Sequence, residues 1–220
     1  MASALPWGGR GRWFKSSRPD LLNNKKSFVS AFLKERFFET LIFLIKMKNK
    51  TYYKTNYKSP LGNIVICCDE QENIVGLWFE KQKHFADNID GKITENNNLK
   101  IFTKVKSWLY RYFVGNKPNI KEIPVKFIGN DFRKSVWKIL CTIPYGEVVT
   151  YGDIAKQIAQ QKGITKMSAQ AIGGAVGHNP ISIIVPCHRV VGKNGKLTGY
   201  AAGVDKKKKL LEIEQVNMVK

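Results

Sequence analysis

Residues 184–190 read IVPCHRV, and this segment contains the strongest chemical pattern in the chain. An apolar run ends at Pro186, which has no backbone N–H to donate and therefore interrupts regular strand pairing. Cys187 and His188 follow directly, at the bend that the proline imposes. A cysteine beside an imidazole is a candidate nucleophile, because the thiolate is the reactive form and a neighbouring base promotes it. A buried cysteine next to an unrelated surface histidine is the alternative that this segment alone leaves open.

Upstream of this bend, residues 150–176 have the pattern of two helices joined by a short turn. Thr150 and Asp153 resemble a capping box, with Asp in place of the usual Glu, and they predict the start of a helix that Gly163 ends. Ser168 is a suitable N-cap for a second, shorter helix. Two helices connected through a Gly-containing turn are typical of a helix-turn-helix.

The flanking segments extend this pattern to a DNA-binding module. Before it, Asp131 can cap a helix with one apolar face, which the turn at 144–146 then ends. After the bend, residues 190–197 (VVGKNGKL) predict a β-hairpin with Asn-Gly at its turn. A helix-turn-helix followed by a hairpin predicts a winged DNA-binding fold.

The second helix of the predicted helix-turn-helix is built from small residues. It includes Gly173 and Gly174, each of which costs about 1 kcal/mol in a helix interior. Small side chains allow close approach, either to a neighbouring helix or to a DNA groove. Only Gln170 offers a long polar side chain that could contact bases, so weak sequence selectivity is expected.

The first half of the chain has the pattern of a small antiparallel sheet and one helix. Residues 51–80 have the pattern of short antiparallel strands, with polar turns at 60–63 and 69–73 and apolar β-like runs at 64–68 and 74–79. Residues 81–98 are polar and loop-like, apolar residues over 99–113 recur at helical spacing, and Gly115 supplies a stop. Residues 118–124 are interpreted as a linker. No residue cluster in this half suggests chemistry, so a scaffolding role is expected.

The charge of the chain is unusual, because 37 Lys and Arg against 17 Asp and Glu give a net charge of +20. Such a surface attracts polyanions, of which DNA and RNA are the commonest. An anionic membrane surface or a lysine-rich organism would account for the same composition. The four lysines at 206–209 share this ambiguity, since they fit both a DNA contact and a solvated helix face.

The four cysteines, Cys67, Cys68, Cys141 and Cys187, have neither the paired spacing of a zinc site nor the pattern of a disulfide framework. We therefore expect no metal in the site, while a structural zinc in the first half stays open. The cysteines also indicate a reducing compartment, the cytoplasm, with association to the nucleoid in a prokaryote. Cys67 and Cys68 lie in an apolar run and are interpreted as small core residues.

Residues 1–46 differ in composition from the rest and are interpreted as an atypical N-terminal extension. Either a remnant foreign to the gene or a transit peptide would explain the Trp-, Gly- and Arg-rich leader over 1–19. Residues 28–45 are apolar but interrupted by charges such as Lys34 and Glu39, so they lack the ~20 apolar residues of a membrane helix. An amphipathic helix is expected there, and no membrane partner.

The segment at 184–190, together with its surroundings, resembles the active-site motif of a known family. PCHR at 186–189 is similar to the signature of the O6-alkylguanine-DNA alkyltransferases, also called methylated-DNA–protein-cysteine methyltransferases. NP at 179–180 and GY at 199–200 fall in the family order. The similarity extends over about 52–214, which makes the combination far more specific than any one short motif.

The resemblance implies an α+β fold with two domains. An N-terminal α/β domain with a small antiparallel sheet is expected over 47–122, and a helical domain with a winged helix-turn-helix over 127–216. The implied reaction turns an alkylated guanine out of double-stranded DNA into a pocket and passes its O6 alkyl group irreversibly to the cysteine. Each molecule is expected to act once, as a monomer and without a cofactor, and O4-alkylthymine is a further candidate substrate.

Carried over by position, the resemblance assigns roles to five catalytic residues. Cys187 is the acceptor, His188 its water-linked base, and Glu214 the carboxylate that holds the histidine. Asn179 braces the active-site turn, and Tyr151 helps to rotate the nucleotide and bonds the purine. A second set is implied to contact DNA or the extruded base: Gln170, Ala171, Gly173, Gly174, Arg189, Val190, Tyr200 and Ala201.

Gln170 departs from the family pattern, because many relatives have an arginine that fills the gap left by the extruded base. Glutamine is shorter and uncharged, so weaker DNA binding is expected. Two other functions stay open at this point. A non-catalytic lesion-binding protein of the same fold would lack the reactive cysteine, whereas a Cys-His hydrolase would need an oxyanion hole, of which the sequence gives no distinctive sign.

Overall fold

The computed structural model describes residues 36–40 and 50–216 of the 220-residue chain. Residues 36–40 are helical, as predicted for that part of the amphipathic segment, and their side chains are exposed. The leader over 1–19 and the rest of the amphipathic segment lie outside the described residues. Within the described ranges, no helix combines the length and the apolar character that crossing a membrane requires.

The first half contains a four-stranded sheet. Its strands are β1 (Thr51–Ser59), β2 (Gly62–Cys68), β3 (Ile74–Phe79) and β4 (Lys92–Glu95), in the order β3-β2-β1-β4. The first three strands pair antiparallel, as predicted, whereas β4 runs parallel to β1 and makes the sheet mixed. The expectation of a loop throughout 81–98 was therefore wrong. Because β4 is a short, polar edge strand, it carries no apolar run that the sequence could reveal.

The outer edge of β3 is bridged by segments from later in the chain. Residues 124–126 bridge Ile74, and the backbone of Leu77 exchanges hydrogen bonds with Pro180 and Ser182, both at 2.8 Å. The second bridge lies just before the active-site cysteine. The edge strand of the first-half sheet therefore holds the backbone segment that leads into the active-site turn.

Helix α1 (Lys100–Phe113) covers the sheet with one apolar face, as its periodicity predicted. Phe102, Val105 and Leu109 are fully buried in the main core. Gly115 follows the helix with a φ of +84°, a conformation that glycine adopts without steric cost. The predicted linker over 118–124 contains a short 3-10 turn, Ile120–Glu122.

The second half is helical. Its helices are α2 (Asp131–Leu140), α3 (Tyr151–Gln161), α4 (Ala169–Gly177) and α5 (Val204–Ile213). The predicted capping box of Thr150 and Asp153 begins α3, and the Ser168 hydroxyl accepts from the first turn of α4. The N-cap of α2 was misplaced by one residue, because Asn130, rather than Asp131, accepts from that helix. Both residue types suit an N-cap, so the sequence did not decide between them.

Helices α3 and α4, joined by residues 162–168, form the predicted helix-turn-helix and pack on α2. Trp137 of α2 donates its indole N–H to the carbonyl of Ala175 at 2.8 Å. This close contact uses the small side chains on one face of α4, while the opposite face remains available.

The predicted hairpin after the active-site turn is only partly present. Strand β6 (Val190–Val191) pairs in parallel with β5 (Val149–Thr150) instead of with a returning strand. The Asn-Gly turn itself is confirmed, since Asn194 and Gly195 have φ values of +59° and +73°. A backbone hydrogen bond from Gly192 to Lys196 at 2.8 Å closes this turn. The wing is therefore a compact turn, and the prediction of a regular second strand was wrong.

Candidate active site

Cys187, His188 and Arg189 form one 3-10 turn directly after Pro186. All three side chains are buried, and Cys187 exposes 5% of its surface. Ile183, just upstream, has a φ of +68°, which is rare for a β-branched residue. The bend that the proline predicted is therefore sharp, and surrounding contacts must hold it in place.

Asn179, the residue that was predicted to brace the turn, makes several of these contacts. Its side-chain amide donates to the carbonyl of Val185 at 2.8 Å and to the sulfur of Cys187 at 3.0 Å. Its side-chain oxygen accepts from the backbone of Ile181 at 3.1 Å. One buried side chain thus ties both ends of the turn together and reaches the sulfur. Burial raises the pKa of the Cys187 thiol, and the Asn179 hydrogen bond acts in the opposite direction.

His188 and Glu214 form a buried pair, with Nε2 and Oε1 2.7 Å apart. A carboxylate only accepts, so Nε2 carries the proton and Nδ1 of the neutral ring keeps a free lone pair. Burial lowers the pKa of His188, although Glu214 partly offsets this effect, and the ring is therefore neutral near pH 7. Nδ1 is buried and has no hydrogen-bond partner among the described residues, which suits a base.

Glu214 is the centre of a larger buried network. Arg189 donates to its two oxygens at 2.8 and 3.0 Å, and the hydroxyl of Tyr112 donates at 2.7 Å. The backbone N–H of Gly146 donates at 3.2 Å. Although burial alone raises its pKa, hydrogen bonds and charge from His188 and Arg189 lower the pKa of Glu214 to about 2. The carboxylate is therefore ionised and fully satisfied, unlike a solvated acid at a helix end.

Two residues of this network differ from the sequence-based expectations. Arg189 was predicted to contact DNA or the base, but its guanidinium is held by Glu214 and by the carbonyl of Ile143 at 2.6 Å. It is 9% exposed, so it positions Glu214 and does not project towards DNA. Tyr112 lies in the half that was expected only to serve as a scaffold. Its hydroxyl nevertheless reaches the site, 3.3 Å from Nε2 of His188.

Lys207 is a second residue that the sequence did not reveal. It belongs to the lysine run over 206–209 but is completely buried. Its ammonium donates to the carbonyl of Val190 at 2.5 Å and to that of Thr198 at 3.4 Å, and no carboxylate among the described residues pairs with it. Burial lowers the pKa of Lys207 to about 8, and the negative charge of ionised Cys187 acts in the opposite direction. The cation therefore has the thiolate as its electrostatic partner.

A cavity of about 700 Å³ opens beside this turn. Five of the predicted residues line it: Tyr151, Gln170, Gly173, Tyr200 and Ala201. The hydroxyl of Tyr151 accepts from Thr198 at 3.1 Å, and burial raises the pKa of this phenol, so it remains a proton donor. Cys187 does not itself line the cavity. Burial raises the pKa values of two lining tyrosines, Tyr151 and Tyr200, and the negative charge of ionised Cys187 acts in the same direction.

The remaining predicted DNA contacts lie elsewhere. Ala171 and Gly174 are exposed on α4 next to the cavity. Val190 is buried, and its carbonyl is occupied by Lys207. Lys83 and His84, from the first half, also line the cavity, and the Lys83 N–H donates to the carbonyl of Ala201 at 3.0 Å. In the part of the chain that the structure describes, no three His, Cys, Asp or Glu side chains cluster as metal ligands would.

Comparison with known proteins identifies both halves. A family model described as 6-O-methylguanine DNA methyltransferase, ribonuclease-like domain, matches residues 52–127. The model for the DNA binding domain of the same family matches residues 131–216. The methylated-DNA–protein-cysteine methyltransferase of Haemophilus influenzae is 41% identical over 164 residues, which cover 74% of this chain and 87% of the relative.

Further relatives agree with this assignment. The methylated-DNA–protein-cysteine methyltransferase of Methanosarcina mazei is 45% identical over 163 residues, covering 73% of this chain and 96% of the relative. The crystal structure of Mycobacterium tuberculosis OGT in complex with DNA has a TM-score of 0.61 at 36% identity, covering 75% of this chain and 92% of that chain. The chain described here belongs to the 6-O-methylguanine DNA methyltransferase family.

Proposed function

We propose that this protein repairs alkylated DNA directly, by transferring the alkyl group of O6-alkylguanine to the sulfur of Cys187. O4-alkylthymine is a second candidate substrate. The observation that carries the proposal is the buried Cys187, tied to Asn179 and followed by the His188–Glu214 pair, next to a cavity large enough for a base. The names of the relatives point to the same activity.

The chemistry follows from these positions. His188 Nδ1 takes the thiol proton through a water molecule, and Glu214 stabilises the imidazolium that forms. The sulfur attacks the alkyl carbon, the bond from that carbon to O6 breaks, and its electron pair passes to the purine. The phenol of Tyr151 donates a hydrogen bond to the leaving purine, which takes up a proton from water, while the imidazolium of His188 releases its proton to water. The products are guanine and a thioether, and because no group in the site reverses the thioether, each molecule acts once.

DNA binding is the second part of the proposal. The net charge of +20 supplies phosphate contacts that do not depend on sequence. Helix α4 presents Gln170 at the mouth of the cavity, and small residues on this helix allow it to approach the minor groove. Extrusion of a base costs a few kcal/mol, and a lesion that pairs poorly lowers this cost. The protein is proposed to act on double-stranded DNA as a monomer in the cytoplasm, where its four free cysteines fit a reducing environment.

The decisive experiment uses duplex DNA with radiolabelled O6-methylguanine. One label per protein molecule, recovered on the peptide that contains Cys187, is the expected result. Cys187→Ala should bind the same duplex and accept no label. Multiple turnovers would indicate a hydrolase, and lesion binding without label on the parent protein would indicate a non-catalytic lesion-binding protein. Either outcome would overturn the proposal.

Gln170→Arg should tighten binding to the lesion duplex by about five- to tenfold, because it adds a cation at the groove. The comparison is made in the Cys187→Ala background by fluorescence anisotropy at moderate salt. Gln71→Arg makes the same charge change at an exposed turn of the first half and should alter the affinity much less. Equal affinities of Gln170→Arg and its parent would argue against a groove position for this residue.

A further inference from the structure

Three consecutive residues of the first half, Gln82, Lys83 and His84, contact the second half beside the active-site turn. They lie in the loop that follows β3, where Lys81, His84 and Ala86 have φ values of +62°, +59° and +57°. Such values are uncommon for residues other than glycine, and they persist where the surrounding contacts hold the backbone. The loop is therefore fixed in one conformation by what it touches.

Hydrogen bonds hold the beginning of this segment. Gln82 is 6% exposed, and its side-chain oxygen accepts from the hydroxyl of Ser182 at 3.3 Å. The backbone N–H of Lys83 donates to the carbonyl of Ala201 at 3.0 Å. Ser182 precedes the active-site turn, and Ala201 lines the cavity. The segment is thus joined to the second half on both sides of the motif at 186–189.

His84 makes a third connection, to the end of α4. Its ring stacks on the ring of His178, with the centroids 3.7 Å apart and 26° between the planes. Nδ1 of His84 lies 2.9 Å from the carboxylate of Asp87, and Nδ1 of His178 lies 2.7 Å from the carbonyl of Gly174. Because His178 directly follows α4, the stack ties the first-half loop to the helix that borders the cavity.

These contacts leave the side chain of Lys83 exposed where it lines the cavity, which places it at the mouth. Within residues 36–40 and 50–216, no carboxylate forms an ion pair with it. Lys193, on the turn of the wing, is also exposed and lines the same cavity. The mouth therefore has positive charge from both halves of the chain, and such charge attracts an anion.

Base extrusion brings an anion to this position. A nucleotide that turns its base into the cavity stays joined to its strand through the sugar, so the phosphates on either side of it remain at the mouth. A lysine ammonium binds a phosphate as a point charge and needs no fixed orientation. Lys83 is therefore placed to contact the strand that carries the lesion.

We propose that residues 82–84 form a DNA contact of the first half, in which Lys83 binds a phosphate next to the extruded nucleotide. Gln82 and His84 are positioning residues, because they hold the backbone of this lysine at the mouth of the cavity. The inference deepens the proposed function and rests on it, since extrusion of the base is what brings the phosphate there. The first half then binds DNA itself, in addition to supporting the active-site turn.

The test measures how DNA affinity depends on salt. Binding of the O6-methylguanine duplex is followed by fluorescence anisotropy in the Cys187→Ala background, from about 50 to about 200 mM salt. Lys83→Gln should weaken binding by roughly three- to tenfold at the lower end of this range. The slope of log affinity against log salt should become shallower by about one, because one phosphate contact is lost.

Lys81→Gln is the matched control for this change. Lys81 is exposed in the same loop, two residues away, but it does not line the cavity. The substitution removes the same charge and should leave the slope nearly unchanged. A slope for Lys83→Gln equal to that of the parent, or an equal change of slope in Lys81→Gln, would show that Lys83 makes no phosphate contact of its own.

Variants of His84 test whether this residue acts through Lys83. His84→Phe keeps a ring that can stack on His178 and should retain most of the affinity, whereas His84→Ala should lower both affinity and slope. Adding Lys83→Gln to His84→Ala should then change little, because the lysine is no longer held at the mouth. Additive losses in the double variant would contradict the positioning role.

The binding measurement is separate from the chemistry. Urea unfolding confirms that each variant is folded, and anisotropy requires no alkyl transfer. Absence of label on Cys187 in the radiolabel experiment would therefore count against the proposed function, whereas the salt slopes report on the contact of Lys83 alone.

Discussion

Lys207→Met should slow the reaction of Cys187 with iodoacetamide at pH 7 by roughly a hundredfold while leaving the protein at least as stable as before. Burial raises the pKa of the Cys187 thiol, and the positive charge of Lys207 counteracts this together with the Asn179 hydrogen bond. A nearby opposite charge lowers a pKa by roughly one to three pH units, so the substitution leaves less thiolate at pH 7. Methionine fills a similar volume and removes a buried ammonium that has no carboxylate partner, which offsets the loss of the hydrogen bonds to the carbonyls of Val190 and Thr198.

The control for this change lies one residue away. Lys208→Met alters the same helix by the same substitution, but the side chain of Lys208 is 66% exposed. Its effect on thiol reactivity should be negligible, because exposed charges are screened by solvent. A large loss of stability in Lys207→Met, with unchanged thiol reactivity, would show that the buried lysine serves only the packing of α5.

Glu214→Gln should destabilise the protein by about 3 kcal/mol or more, as measured by urea unfolding at pH 7. The substitution keeps the size of the side chain but leaves Arg189 as a buried cation without a counter-charge. It also deprives His188 of the carboxylate that stabilises its protonated form, so alkyl transfer should fall together with stability. Glu212→Gln, on the same helix and 60% exposed, should stay within about 0.5 kcal/mol of the parent.

The same pair should also govern acid stability. The pKa of Glu214 is lowered to about 2 in the folded protein, from 4.5 for the free side chain. A carboxyl with a depressed pKa stabilises the fold fully above its unfolded value, and this contribution, about 3 kcal/mol, is lost as the pH falls from 4.5 towards 2. The urea midpoint of the parent should therefore decline more steeply over this range than that of Glu214→Gln. Parallel declines would mean that Glu214 is not the group responsible.

Local patterns predicted the elements that depend on local physics. The helix-turn-helix followed from its caps, and strands β2 and β3 followed from their apolar runs and the turns beside them. Two strands were missed, β4 and β5, and each is held by pairing with a distant strand and not by a pattern in its own residues. The prediction of a hairpin after the active-site turn was wrong for a related reason. Strand β6 pairs with β5, which lies about 40 residues earlier in the chain, and not with a returning strand.

The candidate site shows the same division. The motif at 186–189 located the nucleophile, but Tyr112 meets Glu214 across 102 residues of sequence, a contact that no local pattern contains. Lys207 could have been found. It lies three, four and seven residues before Leu210, Leu211 and Glu214, all of which are buried, so the helical period places it on the inner face of α5. The run of four lysines concealed this position.

The backbone bridge between Leu77 and the segment around Pro180 has an evolutionary consequence. The reactive turn is seated on the sheet edge of the first half, while Gln82 and Tyr112 extend side chains from that half into its surroundings. Substitutions on β3 or on the inner face of α1 should therefore affect the position of the Cys187 sulfur. Residues of the two halves are therefore expected to evolve together. In a hybrid protein that joins halves from distant relatives, the sheet edge and the active-site turn should fit poorly, and the Cys187 sulfur should be displaced.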